Sequence, residues 1–468
     1  MKKILTSIGL MCCFFTNGQG ISQKLQLAFQ NFELDSQVRN AISSLYVTDE
    51  NGNVIFEKNA GVGLAPASTQ KIITAATAYE ILGKNYRYKT YIGYDIGMKE
   101  HQITGNLYVE GNGDPTLGSF RWKSTKDTQV LEKIAGILKN KSINRIRGDL
   151  WIDDLKFGVN PDPGGWIWED MGNYYGAGSW GLNWRENQYD LVFQPSKYEN
   201  EYARLLRTSP YVYDFILNSI VRTGAPGSGD NGYVYTVPYS KEGFVTGTIP
   251  QGKTEFTISG SLPQPAKQLG MELIAYLKYR NIGINGKLKL YSDSILKKNG
   301  VRKAMLELDS IVSPSMDSMM YYFLQKSINL YGETFLKTFA LERFHDGNTE
   351  KAIEILQDFW KARGIETTEL NLADGSGLSP LNRVTTRSQV KVLLYASKQN
   401  WFTGYFDAIP VYNGMKMKSG TINGVKGFCG YQTSKNGKKY VFSFLVNNYN
   451  GSSTSIVNKM YRVLDVLK

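Results

Sequence analysis

The sequence predicts a mixed α/β (α+β) protein in which a domain built from both ends of the chain is split by a large, mostly β insertion. Three observations support this. The chain has 468 residues, enough for about three domains. Helical periodicity dominates both ends of the chain. Between them, residues 86–297 consist mainly of short aromatic and β-branched runs broken by Gly, Pro and Asn.

The composition is that of a globular protein and excludes several function classes. Aromatic residues make up 13% and the mean hydropathy is −0.31, which argues against a disordered chain and a polytopic membrane protein. Only two histidines and three cysteines are present. Zinc fingers, metalloprotease helices and a disulfide framework are therefore excluded, and we expect neither a metal nor a cofactor.

The first 20 residues are typical of a secretory signal peptide. Two lysines precede an apolar run over residues 4–15, which is too short to span a bilayer, and Gly18 and Gly20 provide small residues for cleavage. Lipoprotein processing at Cys12 or Cys13 is a less favoured alternative. We therefore expect an exported, periplasmic protein.

The formal net charge is +12, and the basic residues are dispersed along the chain without a long run. Such a pattern usually describes a solvated surface. Export argues against a nucleic-acid partner, and a weak association with an anionic envelope surface remains open.

The elements follow from local signals. Asn51-Gly52 predicts a hairpin between runs 41–47 and 54–58, and an Ile- and Ala-rich helix follows over 68–82. In the insertion we predict strands that include 107–110, 150–153, 232–237 and 244–249, and helices over 128–139 and 269–280. After residue 315 we predict further helices, including 349–363, 386–397 and 453–467, and a strand pair, 427–433 and 439–447, joined at Asn436-Gly437.

These elements predict a domain division. Residues 1–20 form the signal peptide, and residues 21–85 form the N-terminal part of the split domain. For residues 86–297 we expect inserted domains, and two nested domains are one arrangement that the pattern allows. Residues 298–468 form the C-terminal part of the split domain.

The first chemical motif is Ser68-Thr69-Gln70-Lys71, an SxxK sequence at the start of the predicted helix. Three residues of spacing place a hydroxyl and an amine on one helix face. A lysine made partly neutral by burial and nearby positive charge can then activate the serine without a histidine. Because SxxK also occurs at Ser294 and Ser388, this motif alone is weak.

Two further motifs strengthen the prediction. Lys418-Ser419-Gly420-Thr421 contains the only K-[ST]-G of the chain and precedes a predicted strand, and Ser327-Ile328-Asn329 supplies an SxN. The ordered set SxxK, SxN and K-[ST]-G is the signature of penicillin-recognising enzymes with an active-site serine.

With these motifs, the chain resembles the low-molecular-mass class C penicillin-binding proteins, which are D-alanyl-D-alanine carboxypeptidases/endopeptidases. The long separation of Lys71 from Ser327 matches the insertion of that family, and phrases such as those at 111–117 and 374–379 extend the resemblance along nearly the whole mature chain. The resemblance implies a beta-lactamase/transpeptidase-like catalytic domain.

The resemblance also implies catalytic roles. Ser68 would be the acylated nucleophile and Lys71 its general base. Ser327 and Asn329 would complete a proton relay and hold the substrate amide, and Lys418 would tune the electrostatics.

Other residues would bind substrate. The N–H groups of Ser68 and Thr421 would form the oxyanion hole, and the Lys418-Ser419-Gly420-Thr421 segment would bind the terminal carboxylate through the Ser419 and Thr421 hydroxyls. Asp170 and Tyr175 resemble the family's acidic residue and aromatic wall from the insertion. The family pattern has an arginine where Pro380 stands here, and we expect Arg383 to replace it.

We therefore predict a serine DD-peptidase, a hydrolase that cleaves D-Ala-D-Ala termini and/or D-Ala cross-links of peptidoglycan peptides, with beta-lactams as covalent inhibitors. One alternative is a beta-lactamase or esterase of the same fold. The long insertion and the imperfect ExxLN-like segment at 366–371 argue against it. Another is a non-catalytic envelope-binding protein, which the three intact motifs disfavour.

Overall fold

The computed structural model of the chain describes residues 20–298 and 305–468. Apart from Gly20, the predicted signal peptide, with Cys12 and Cys13, lies outside the described residues. Within these ranges, no helix combines the length and the apolar character that a membrane crossing requires.

The described residues contain α-helices, β-strands and several short 3₁₀ turns, interspersed along the chain. The α-helices are α1 Ile21–Glu33, α2 Lys71–Ile81, α3 Asp127–Asn140, α4 Trp168–Met171, α5 Pro265–Tyr279, α6 Tyr291–Leu296, α7 Met316–Gln325, α8 Asn329–Phe344, α9 Thr349–Lys361, α10 Thr386–Ala396, α11 Phe402–Ala408 and α12 Ser453–Leu464.

The strands fall into two groups along the chain. Those of the first half are β1 Ile42–Asp49, β2 Val54–Lys58, β3 Lys89–Tyr94, β4 Met98–Lys99, β5 Gln102–Ile103, β6 Leu107–Glu110, β7 Arg145–Ile146, β8 Leu150–Asp153, β9 Gln188–Gln194, β10 Arg204–Ser209, β11 Ile216–Ser219, β12 Arg222–Gly224 and β13 Asn231–Tyr235. Those of the second half are β14 Glu242–Pro250, β15 Phe256–Ser261, β16 Gly283–Ile284, β17 Leu288–Leu290, β18 Leu306–Val312, β19 Leu370–Asn371, β20 Arg383–Val384, β21 Val411–Tyr412, β22 Met415–Ile422, β23 Val425–Thr433 and β24 Lys439–Asn447.

A six-stranded antiparallel sheet joins the two ends of the chain. Its order is β2-β1-β24-β23-β22-β21, so the N-terminal hairpin pairs directly with the last strand of the sequence. Strand β24 is buried along nearly its whole length, which explains its continuous apolar sequence. Strand β21 covers only the start of β22, and this leaves the Lys418–Thr421 segment of β22 at the edge of the sheet.

Helices cover both faces of this sheet. Helices α1 and α12 pack on one face, where Phe29 and Phe32 meet Phe444 and where Ile456 and Met460 of α12 are buried. Helices α2 and α7 to α11 form the core on the other face, which includes Trp360. The sheet is therefore buried between two layers, as in other layered α/β architectures.

The middle of the chain forms its own sheets and cores. One five-stranded sheet has the order β17-β8-β6-β3-β18 and packs with a smaller four-stranded sheet against α3 and α5. A second region contains the sheets β10-β9-β15 and β11-β14-β12, with β13 paired to β14. Strand β18, at Leu306–Val312, pairs with β3 although it lies beyond the predicted boundary at residue 297. The domain division remains a prediction.

Most of the predicted elements are present. The hairpin at Asn51-Gly52 forms, with Asp49 Oδ1 accepting from the backbone N–H groups of Asn51 and Asn53 at 2.9 Å. Helix α1 was not predicted, although its buried residues Leu25, Phe29 and Phe32 follow helical spacing.

Candidate active site

The SxxK motif lies on a 3₁₀ turn, Ala67–Gln70, that runs directly into α2. Ala67 adopts a left-handed backbone conformation, with φ of 46°, immediately before Ser68. A non-glycine residue in this region stores strain, and such strain is concentrated at functional sites. Ser68 is half-buried and lines a cleft whose volume is about 1050 Å³.

Lys71 is fully buried beneath Ser68. Its Nζ lies 2.8 Å from Ser68 Oγ, and it donates to Asn329 Oδ1 and to the Ser376 carbonyl, both at 2.7 Å. A neutral amine has two N–H donors and one lone pair. The two oxygen acceptors therefore use both N–H groups of a neutral Lys71 and leave its lone pair for the Ser68 hydroxyl.

The electrostatic surroundings favour this neutral state. Burial lowers the pKa of Lys71 well below its ordinary value, and the positive charge of Lys418 lowers it further. The carboxylates of Asp374 and Glu333 act in the opposite direction. Burial is the largest of these effects, so the net shift of the Lys71 pKa is downward.

The SxN motif lies where α7 ends and α8 begins. Ser327 lines the cleft and has a left-handed φ of 58°, and Asn329 is the first residue of α8. The Asn329 amide is held at both ends, because Oδ1 accepts from Lys71 and Nδ2 donates to the Tyr175 carbonyl at 2.7 Å. The motif thus joins the lysine to the insertion.

The K-[ST]-G motif lies on edge strand β22, against the Ala67–Gln70 turn that carries Ser68. A Cβ on Gly420 would lie 2.6 Å from the Pro66 carbonyl oxygen and 2.9 Å from Ser68 N, so only glycine allows this approach. Lys418 is buried and donates to the Ser419 carbonyl at 2.9 Å, and burial lowers its pKa to about 7. Thr421 lines the cleft.

A buried loop over residues 374–379 contacts Lys71, and none of its residues belongs to the three motifs. The Asp374 carboxylate accepts from the N–H groups of Gly377 at 2.7 Å and Ser379 at 2.6 Å, and from Trp166 Nε1 at 3.0 Å. These bonds shape the turn that presents the Ser376 carbonyl to Lys71. Sequence alone could not reveal this backbone contact, although the 374–379 segment resembles the family.

Glu333 is the second feature that sequence reasoning missed. It lies one helical turn after Asn329 on α8, it is buried, and its Oε2 accepts from Gly375 N at 2.9 Å. Burial and the neighbouring Asp374 charge raise the pKa of Glu333 to about 8. The i, i+4 spacing from Asn329 is the sequence signal that places it near the motif.

The insertion supplies one wall of the cleft. Asp170, on α4, and Tyr175 both line it. Burial raises the pKa of Asp170, and the Tyr175 hydroxyl counteracts this shift. The structure therefore brings both residues to the same cleft as Ser68.

Arg383 is not among the residues that line this cleft. Its guanidinium donates to the carbonyls of Pro380 at 2.6 Å and Asn382 at 2.8 Å, within its own segment. The basic side chains that line the cleft are instead Arg121, from the insertion, and Lys326. Neither belongs to a motif, so sequence reasoning missed both.

Comparison with known proteins gives a consistent result. The model of the D-Ala-D-Ala carboxypeptidase 3 (S13) family matches residues 25–466. A D-alanyl-D-alanine carboxypeptidase of Actinomadura sp. (strain R39) is 25% identical over 448 residues, which cover 89% of this chain and 80% of the relative. The D-alanyl-D-alanine carboxypeptidase DacB of Haemophilus influenzae is 20% identical over 85% of this chain and 83% of the relative.

The fold is also similar to a solved structure. The crystal structure of penicillin binding protein 4 from Haemophilus influenzae matches with a TM-score of 0.78 at 20% identity and covers 96% of this chain and 99% of that chain. The same protein with a beta-lactam bound matches with a TM-score of 0.73 at 19% identity, over 95% of this chain and 99% of that chain.

Proposed function

The chain belongs to the D-Ala-D-Ala carboxypeptidase 3 (S13) family, and from this premise we propose how its cleft performs acyl transfer on Ser68. The chain is a low-molecular-mass class C penicillin-binding protein and a serine DD-peptidase, as the sequence predicted. The predicted beta-lactamase/transpeptidase-like fold is also confirmed. Which residues perform the chemistry is our proposal.

The hydrogen bonding of Lys71 is the observation that carries the mechanism. A fully buried amine with two carbonyl acceptors and a serine hydroxyl at 2.8 Å has the geometry of a general base. No histidine is needed, and neither His101 nor His345 lines the cleft. We assign Ser68 as nucleophile and Lys71 as the base.

Acylation would proceed in two steps. Ser68 Oγ attacks the carbonyl carbon of the penultimate D-Ala while its proton passes to Lys71 Nζ, and the N–H groups of Ser68 and Thr421 stabilise the oxyanion. The C–N bond then breaks, and the leaving amine takes a proton delivered from Lys71 through Ser327. The products are an ester on Ser68 and either free D-Ala or the released side of a cross-link.

Deacylation would return the enzyme to its starting state. A water molecule attacks the ester carbonyl, its proton passes to the neutral Lys71, and Ser68 leaves as the alkoxide that takes the proton back. Lys418 would remain a positioning and electrostatic residue, since it lies buried beside Ser419 and lowers the pKa of Lys71.

Substrate binding would use both parts of the cleft. The Ser419 and Thr421 hydroxyls would bind the terminal carboxylate, and Lys426, which donates to Thr421 Oγ1 at 2.7 Å, adds positive charge there. Asp170 would bind a cationic group on the third residue of the stem peptide, against the Tyr175 ring. The predicted role of Arg383 in side-chain recognition stays a prediction.

We also propose that the enzyme works outside the cytoplasm. Peptidoglycan is its substrate, and beta-lactams bind to its family. Residues 1–20 carry the basic, apolar and small-residue segments of a signal peptide, which supports export to the periplasm. The net charge of +12 supports a weak association with an anionic envelope surface.

The decisive test is the intact mass of the purified enzyme after incubation with benzylpenicillin. We expect one covalent adduct on the wild type and none on Ser68→Ala. Ser294→Ala removes the serine of another SxxK sequence and serves as the matched control, which should retain the adduct. An adduct that persists on Ser68→Ala would overturn the assignment of the nucleophile.

The same experiment separates the alternatives. Rapid loss of the drug without a stable adduct would indicate a beta-lactamase. A folded wild type that neither forms an adduct nor consumes the drug would indicate a non-catalytic binding protein.

A further inference from the structure

Three aromatic rings form a platform beside the cleft, defined by Trp168, Tyr235 and Phe244. The Tyr235 and Phe244 rings are stacked, with centroids 4.9 Å apart and an interplanar angle of 12°. Trp168 contacts both rings edge-on, at 5.2 Å and 6.1 Å. Trp168 is 56% exposed, whereas tryptophan is highly buried on average.

The platform is held rigidly by backbone contacts. Tyr235 and Phe244 are direct cross-strand partners of β13 and β14. The α4 segment that carries Trp168 is fixed to β13, because Val234 N donates to Asn173 Oδ1 at 3.1 Å and Gly172 lies against the Val234 carbonyl. Because these contacts already hold the three rings in place, ligand binding costs little side-chain conformational entropy.

The platform is continuous with the cleft. Tyr233 lies two residues before Tyr235 on β13, about 7 Å away along the strand, and the buried Val234 separates them. Tyr233 is 38% exposed and lines the cleft together with Ile167, the residue before Trp168. An extended ligand can therefore lie in the cleft and on the platform at the same time.

We propose that this platform binds the glycan strand of peptidoglycan while a stem peptide occupies the cleft. The proposal rests on the proposed function, since it assumes that the stem peptide binds at Ser68. In peptidoglycan the stem peptide is attached through its N-terminal end to the sugar chain, so the glycan must lie outside the cleft. Pyranose rings present C–H faces that pack on exposed aromatic rings, and the Trp and Tyr polar groups can bind sugar hydroxyls.

The test compares binding and activity in the mature enzyme. The binding probe is soluble glycan strands of alternating N-acetylglucosamine and N-acetylmuramic acid, stripped of peptides and titrated calorimetrically. The activity probes are a free pentapeptide ending in D-Ala-D-Ala and the same pentapeptide attached to glycan strands. The variants are Trp168→Ala, Trp168→Ala with Tyr235→Ala, and the conservative Trp168→Phe. Tyr279→Ala, which removes a 79% exposed ring outside the platform, is the control.

We expect the double variant to bind glycan about tenfold more weakly, as is typical for removal of an aromatic contact residue. Its kcat/KM should fall by a similar factor on the glycan-linked peptide and stay unchanged on the free peptide. Trp168→Phe should retain most of the binding, and Tyr279→Ala all of it.

Several results would overturn the proposal. One is a wild type that does not bind the glycan strands. Another is an equal loss on both peptides, which would place the rings in peptide binding. Acylation by benzylpenicillin reports on folding and on the Ser68 chemistry independently of glycan binding. If the double variant is not acylated, the binding and activity of Trp168→Ala decide whether the platform binds glycan, because removal of this exposed ring leaves the core intact. Loss of acylation in the wild type would contradict the proposed function and not the platform.

Discussion

Gly420 and Ser68 are in backbone contact: a methyl group on Gly420 would lie 2.9 Å from Ser68 N. The edge strand β22 therefore sets the position of the Ala67–Gln70 turn that carries Ser68, and in the proposed mechanism it also binds substrate. The contact joins residues that are 352 positions apart in the sequence, and it holds two of the three motifs in register.

Gly420→Ala tests this contact. The added Cβ must displace either β22 or the Ala67–Gln70 turn, and a shift of about 1 Å at a reacting group costs about 100-fold in rate. We expect the second-order rate constant for benzylpenicillin acylation to fall by about that factor, as measured by intact mass against time. Gly136→Ala is the control, because Gly136 on α3 has open space around its Cα and alanine favours a helix. A variant that acylates at the wild-type rate would contradict the steric argument.

The charge of Lys418 gives a second prediction, on pH dependence. In the proposed mechanism acylation requires neutral Lys71, so its rate should rise with pH and level off well below pH 10.5. The Lys418 charge lowers the pKa of Lys71, so Lys418→Met should raise that pKa and move the rising limb to higher pH. The measurement is the acylation rate constant from pH 5 to pH 10, with the exposed Lys398→Met as control. If the rising limb of the pH profile stays in place in Lys418→Met, or moves to lower pH, Lys418 does not lower the pKa of Lys71.

Asp170 gives a third prediction, on substrate selectivity. If its carboxylate binds a cation, Asp170→Asn should lower kcat/KM about tenfold for peptides with an ammonium group on the third side chain. Peptides with a neutral third side chain should be unaffected. Steady-state release of D-Ala from the two peptides measures the difference, and Asp230→Asn, in an exposed loop, is the control. Equal losses on both peptides would show that Asp170 acts by shaping the cleft.

The sequence predicted the hairpins and most helices of the split domain, and also the contact within the SxxK motif, because these depend on local signals. The Asn436-Gly437 turn predicts the β23–β24 pair, and SxxK spacing predicts the approach of Lys71 to Ser68. Asp170 and Tyr175 entered through the family resemblance, and the structure places both in the cleft.

The features that were missed depend on tertiary packing. The Ser376 carbonyl contacts Lys71 through the backbone, so no side-chain pattern marks it. Arg121 lines the cleft from the insertion: its neighbour Trp122 donates to the Tyr331 hydroxyl of α8 at 2.8 Å, and its own Nε donates to the buried Glu186 at 3.1 Å. Arg383 is close in sequence to Pro380, but its guanidinium donates to the Pro380 carbonyl of its own segment, and its role in substrate recognition stays a prediction.

Glu333 gives the last prediction, on stability. Its pKa in the folded protein is about 8, above the value of about 4.3 for an unfolded glutamate. The folded state therefore holds this proton more tightly, and wild-type stability is lost as the pH rises from the unfolded toward the folded pKa. Glu333→Gln keeps an oxygen that can accept from Gly375 N but cannot ionise. The difference in Tm between Glu333→Gln and the wild type should therefore shift in favour of the variant by a few degrees as the pH rises from 5 to 8. Calorimetry at several pH values measures this difference, and Glu366→Gln, at an exposed position, is the control. A difference that stays constant with pH would mean that Glu333 is already ionised in the folded protein.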